Sequence, residues 1–176
     1  IDSKIMSMID RAEAAGFKGF VKPGYAAVYD PTIDVSDRSP GYVGSANRVA
    51  GVSWNTAPGE FGLPCSGARV VSISGSKDFG MGPLAYDLAI EASGGLMSDR
   101  REVSDDAEAV WDYYMNNRSD VEAVQLDDVR NTLTPEDADN CDQEISGGVA
   151  DWIPDHTPTD DWVNNSLSKM YKKSGT

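Results

Sequence analysis

The sequence predicts an α/β fold of the α+β kind: a mixed, mostly antiparallel sheet flanked by helices and followed by an acidic C-terminal extension. Three observations predict it. Short β-prone runs follow one another at Gly19–Val21, Tyr25–Tyr29 and Arg48–Trp54. A strand-like run, Arg69 to Ser74, leads into a glycine loop, after which the apolar period changes to that of a helix. Acidic residues then crowd the last third of the chain, where periodicity fades.

Taken in order, Ser3 to Ala15 places Ile5, Met8, Ile9 and Ala12 on one helical face, with Ser3 suited to the N-cap and Gly16 just past the end. Lys22-Pro23-Gly24 separates the first two β-prone runs and the polar stretch Asp30 to Asn47 the next two, so successive antiparallel strands are expected. Gly59 to Gly67 reads as a loop. In Arg69 to Ser74 the β-branched content is that of a buried strand. From there Met81, Leu84, Ala85 and Leu88 share a helical face, Pro83 stands in the first turn where its missing N–H costs nothing, and Gly94-Gly95 closes the helix. Leu96-Met97 is a brief strand. Ser104 is positioned to cap a further helix with Ala107, Val110, Trp111 and Tyr114 on one face, ending near Asn116-Asn117, and Val121 to Leu126 alternates as an edge strand does. Two regions result, a domain over residues 1–128 and an extension over 129–176. Trp152, Ile153, Trp162, Val163, Leu167, Met170 and Tyr171 make the extension too apolar for a free tail, and it is expected to dock on the domain or on a partner.

The chain has 176 residues, 40% of them hydrophobic, and no apolar run approaches the roughly 18 residues of a membrane span, so neither a transmembrane helix nor a signal peptide is expected. It begins at Ile1 without an initiator Met, which reads as a processed product or a fragment of a longer polypeptide. The net charge is −14, and Asp120 to Asp161 holds thirteen acidic residues against one basic, Arg130. Such a surface repels a phosphate backbone, so nucleic acid is not an expected partner; the acidic run is either a solvated segment or a contact for a cationic acceptor or basic protein. Cys65 and Cys141 lie far apart with no metal-ligand spacing, and two reduced thiols are expected, with a disulfide as the alternative.

The chemistry concentrates at Lys77-Asp78-Phe79-Gly80-Met81-Gly82, between strand and helix. A helix N-terminus offers unpaired N–H groups and the positive end of its dipole, and glycines let an anion approach the backbone. The order strand, Lys77-x-x-Gly80-x-Gly82, helix, then Ser104-x-x-Ala107 and a second helix resembles the GNAT acyltransferase family, most closely from Ala68 to Tyr114. The resemblance implies an acyl-coenzyme A dependent N-acyltransferase, with acetyl-CoA as cofactor and an amine or a protein as acceptor. It places Lys77, Asp78, Phe79, Gly80, Met81 and Gly82 around the pyrophosphate and Val71 and Ile73 beside the pantetheine arm. More narrowly, Gly80 to Asp87, Asp99-Arg100 and Val110 to Tyr114 are similar to acetyltransferase-like proteins of tailed bacteriophages, which implies the host cytoplasm or the virion as location and virion proteins as partners.

Departures accompany the matches. Lys77 replaces Arg or Gln and lacks a planar donor fork. Ser104 stands for Asn, Trp111 for the acid Tyr, and Asn116 to Asp120 replaces a final Gly-Phe. Tyr114, or Tyr113 beside it, would have to protonate the thiolate, a role open to a phenol whose ordinary pKa is about 10, although Tyr114 shares the apolar face expected of a core residue. These departures leave a second reading, an inactive GNAT-fold scaffold or virion-associated interaction protein that uses its acidic C-terminal segment.

Other chemistry is weaker. His156 is the only histidine and stands in an acidic, Pro-containing stretch; Cys65 lies in a Pro/Gly loop; Glu60 and Asp99 are two of many carboxylates that could serve as base. Asp137, Asp139, Asp142 and Glu144 approach a Ca²⁺ ladder but lack its glycine and terminal glutamate, and no metal site is expected.

Overall fold

The computed structural model describes residues 3–33, 47–56, 68–75, 80–99, 103–127, 133–141 and 163–174. These form two compact units, one of residues 1–54 with 70–94, the other of 55–69 with 95–176.

In the first unit, helix α1 (Ser3–Ala14) buries Ile5, Met8 and Ala12, the 3.6-period stripe of the sequence. Its end is locked by two crossed bonds, Phe17 N–H to Ala12 O (2.9 Å) and Gly16 N–H to Glu13 O (3.0 Å), which require Gly16 to take its left-handed φ of 78°. Strands β1 (Lys18–Lys22) and β2 (Tyr25–Tyr29) form a hairpin in full register around Pro23-Gly24, with Lys22 opposite Tyr25 and Lys18 opposite Tyr29. β3 (Arg48–Asn55) pairs antiparallel with β2, and a register shift at Val28/Tyr29 brings Arg48 opposite Tyr29. β4 (Ala68–Gly75) is next in strand order.

Helix α2 (Gly82–Ser93) begins with Pro in its first turn and ends at Gly94 with φ of 74°, as the sequence predicts. It packs on β1 and β2: a Cβ placed on Gly19 would stand 3.4 Å from Leu88 Cδ1. Ala26, Val28, Ala50 and Val52 of the sheet, Met81 just before α2, and Leu84, Ala85, Ala89 and Ile90 on it are buried.

The second unit holds the first two residues of β4, β5 (Leu96–Met97), helix α3 (Asp105–Asn117), β6 (Val121–Gln125) and β7 (Lys169–Lys173). β5 runs parallel to β4, Ala68 opposite Leu96 and Arg69 opposite Met97, and antiparallel to β7. β7 pairs along its whole length with β6, from Lys173 opposite Val121 to Lys169 opposite Gln125. The boundary expected at residue 128 therefore falls inside this unit, because hydrogen bonds join β6 before it to β7 after it. The mixed α/β architecture, with antiparallel pairing predominating in both units, agrees with the predicted class.

Cys141 corrects the expected thiol state. It is disulfide-bonded and 1% exposed, packed with Met97, Leu126 and Met170; Cys65, the chain's other cysteine, lies outside the described residues. Oxidation leaves its sulfur no proton to donate, so the 4.0 Å approach to Met97 Sδ is a van der Waals contact.

Candidate functional site

The glycine segment of the predicted cofactor loop lies in the first unit. Lys77, Asp78 and Phe79 fall outside the described residues, and of Val71 the structure describes the strand but not the side chain. Ile73, two residues on and on the same face of β4, is exposed. Gly80 has φ of 62°, a conformation costly for a residue with a Cβ. Met81 is the N-cap of α2, and its buried thioether offers no cap hydrogen bond.

The first turn of α2 holds no acidic residue, and its first intrahelical bond is Ala85 N–H to Met81 O at 3.2 Å. The Gly82 and Leu84 N–H groups thus have no intrahelical partner. Among the described residues, a Cβ on Gly82 would meet nothing within 4 Å, so none of them blocks the approach to those groups. A cation stands close: Arg11 Nη1, from the last turn of α1, lies 3.9 Å from a Cβ built on Gly80. This arrangement can hold an oxyanion by backbone N–H groups, the helix dipole and one guanidinium.

The predicted acid residues lie on α3 in the second unit. Ser104 is the N-cap and accepts a hydrogen bond from Ala107 N–H at 3.2 Å, while Asp105, Asp106 and Glu108 occupy the first turn. Trp111 and Tyr114 are 1% and 2% exposed and form an aromatic cluster with Tyr171 of β7: Trp111 stacks on Tyr171 (5.3 Å, 24°), and Tyr114 tilts against both. Tyr171 donates its hydroxyl to Ser166 O (2.7 Å), and Ser166 Oγ donates to Asp112 Oδ1 (2.5 Å), which ties the C-terminal segment to α3. Tyr113 is half-buried. Of the two candidate tyrosines, it has the more accessible side chain.

Two charged residues that the sequence reading left without a role organise this unit. Arg118 has a fully buried side chain, its guanidinium 5.0 Å from the centre of the Tyr114 ring and bonded through Nε and Nη2 to both oxygens of Asp120, each at 2.7 Å. Those hydrogen bonds, helped by Lys173 at 3.7 Å, hold the Asp120 carboxyl down at about 2. The fully buried Asp127 accepts through Oδ2 from the backbone N–H groups of Leu133 (2.9 Å) and Thr134 (2.8 Å). Their sequence signal was slight: an Arg-x-Asp spacing between a helix and a strand, and an Asp at a strand end.

Among the described residues no group of three His, Cys, Asp or Glu side chains could hold a metal ion. His156, Cys65, Glu60, Asp142 and Glu144 lie outside the described residues, and Asp139 accepts from the Thr134 hydroxyl at 3.0 Å through each oxygen. Again among the described residues, no helix is long and apolar enough to cross a membrane. No family model, curated protein or solved structure matches the chain.

Proposed function

We propose that the chain is a GNAT-like protein that binds acyl-coenzyme A at the start of α2 and transfers its acyl group, acetyl in the simplest case, to an amine. One observation carries this reading: the uncapped N-terminus of α2, with left-handed Gly80, open space at Gly82 and the Arg11 guanidinium beside it. In it the backbone N–H groups of Gly82 and Leu84 and the cation of Arg11 hold the pyrophosphate, with Lys77, Asp78 and Phe79 completing the loop. Val71 and Ile73 flank the pantetheine. Coenzyme A supplies an activated thioester, and the chain's own task is to hold it and return a proton to the departing thiolate. The family resemblance gives that proton to a tyrosine of α3, and Tyr113 is taken because Tyr114 is committed to the aromatic core.

A second reading, a scaffold without catalysis that acts in a virion or by protein contact, is favoured by a specific fact. Trp111, at the family's acid position, is buried in that same cluster.

Calorimetric titration with acetyl-coenzyme A tests the cofactor claim. Binding with Kd below about 1 mM is expected, together with its loss in Gly82→Trp, which the open surroundings of Gly82 allow to fold. Absence of heat at millimolar cofactor defeats the acyl-CoA reading. Where binding is present, Tyr113→Phe should slow acetyl transfer to a small amine by about 10²-fold, and binding without any turnover would favour the scaffold.

A further inference from the structure

A second polar cluster lies on the sheet of the first unit, and the cofactor reading does not use it. Lys18, Phe20, Lys22, Tyr25, Ala27, Gly51 and Ser53 share one face of β1, β2 and β3, since paired residues of antiparallel strands point to the same side. At its centre lie Ala27 and Gly51, both buried beneath the side chains around them. A Cβ on Gly51 would stand 2.9 Å from Arg48 Cδ, 3.1 Å from Tyr25 Oη and 3.3 Å from Ser74 Oγ, so the three side chains close over one point and a ligand reaches it only when one of them moves.

The polar atoms there are unspent. Tyr25 Oη is buried and has no hydrogen-bond partner among the described residues. No hydrogen bond of the Arg48 guanidinium or Ser74 hydroxyl is found among the described residues. A buried hydroxyl without a partner is costly, and native proteins hold few such groups. The aliphatic stem of Arg48 is the flexible part of the wall, able to swing and admit a ligand.

Charge selects the class of ligand. The protein carries 29 acidic residues, yet β1, β2, β3 and β4 contain none. Lys18, Lys22 and Arg48 attend this face, and Lys22 Nζ lies 5.5 Å from the centre of the Tyr25 ring. Within a chain of net charge −14 this is a local cationic field with a phenol and a hydroxyl at its focus and the stem of Arg48 beside them.

We infer that the niche over Gly51, walled by Tyr25, Arg48 and Ser74, binds the oxyanion group of a small molecule. The guanidinium supplies a bidentate donor pair, and the phenol and the serine hydroxyl supply one hydrogen bond each. The shared chemistry is that of a carboxylate or a phosphate monoester.

The test is an amide-resolved NMR titration of the whole chain with acetate and, separately, inorganic phosphate, against chloride at matched ionic strength. Saturable shifts at Gly51 and Ser74 are expected with at least one oxyanion, and the stronger of the two names the source. Arg48→Gln should weaken that binding about tenfold, the worth of one charged hydrogen bond. Tyr25→Phe should also weaken it while melting no lower than the wild type, because it removes an unpaired hydroxyl rather than a bond. Shifts no larger than those with chloride would overturn the inference. So would wild-type binding in both variants, or a lowered melting temperature in Tyr25→Phe.

Discussion

The starts of α2 and α3 are opposites. α3 opens on Ser104, whose side chain takes the Ala107 N–H, and follows it with Asp105, Asp106 and Glu108, so its donors and its dipole are answered within the chain. α2 opens on Met81, which caps nothing, has no acid in its first turn, and leaves its donors uncovered by any described residue, with Arg11 nearby. An anion is repelled from the first helix end and welcomed at the second. The difference teaches where to look for a ligand: a helix start that the chain has not satisfied for itself. The same division marks the two units. The second keeps its aromatic and charged groups paired inside, although Asn140 Oδ1 is buried there without a partner among the described residues; the first leaves polar groups open at Gly82 and around Gly51.

Mutations sharpen that contrast in order of size. Trp111→Ala should cost about 3–5 kcal/mol, since it empties the middle of the stack with Tyr114 and Tyr171; a thermal melt that barely moves would contradict the closed character of the second unit. Reducing the disulfide of Cys141 should cost about 2–4 kcal/mol, read as a lower urea midpoint in the presence of reductant.

Acid should reach the second unit through Asp120. Its folded pKa, near 2, lies below the 3.8 of an unfolded aspartate, so its contribution is complete above about pH 4 and lost as pH falls towards 2. Partial exposure limits this to about 1 kcal/mol, and Asp120→Asn should flatten the acid limb of the stability curve by that amount. The smallest change in stability, within about 0.5 kcal/mol, is expected for exposed Arg11→Ala, which should nonetheless weaken coenzyme A binding about tenfold. Equal cofactor affinity in that variant would remove Arg11 from the site.

Much of the local architecture was legible in the sequence because its causes are local. The stripe of Ile5, Met8 and Ala12, the Pro83 start and Gly94 end of α2, and the Ser104 cap each follow from residues within a turn or two of one another. What escaped depends on distant pairing. Cys141 gives no sign of its oxidation within its own segment. β7 finds β5 and β6 only after a long intervening segment. Arg118 is buried because Tyr114 lies beneath it and Asp120 grips it, and neither fact shows in a polar stretch after a helix. At the candidate site the glycines marked the loop, whereas Arg11 comes from the far end of α1 and was not anticipated.

The most direct test of the account is an amide NMR titration of the chain with acetyl-coenzyme A. The account predicts saturable shifts at Gly80, Gly82 and Leu84, and their disappearance in Gly82→Trp. Unmoved amides at the start of α2 with millimolar acetyl-coenzyme A would contradict it.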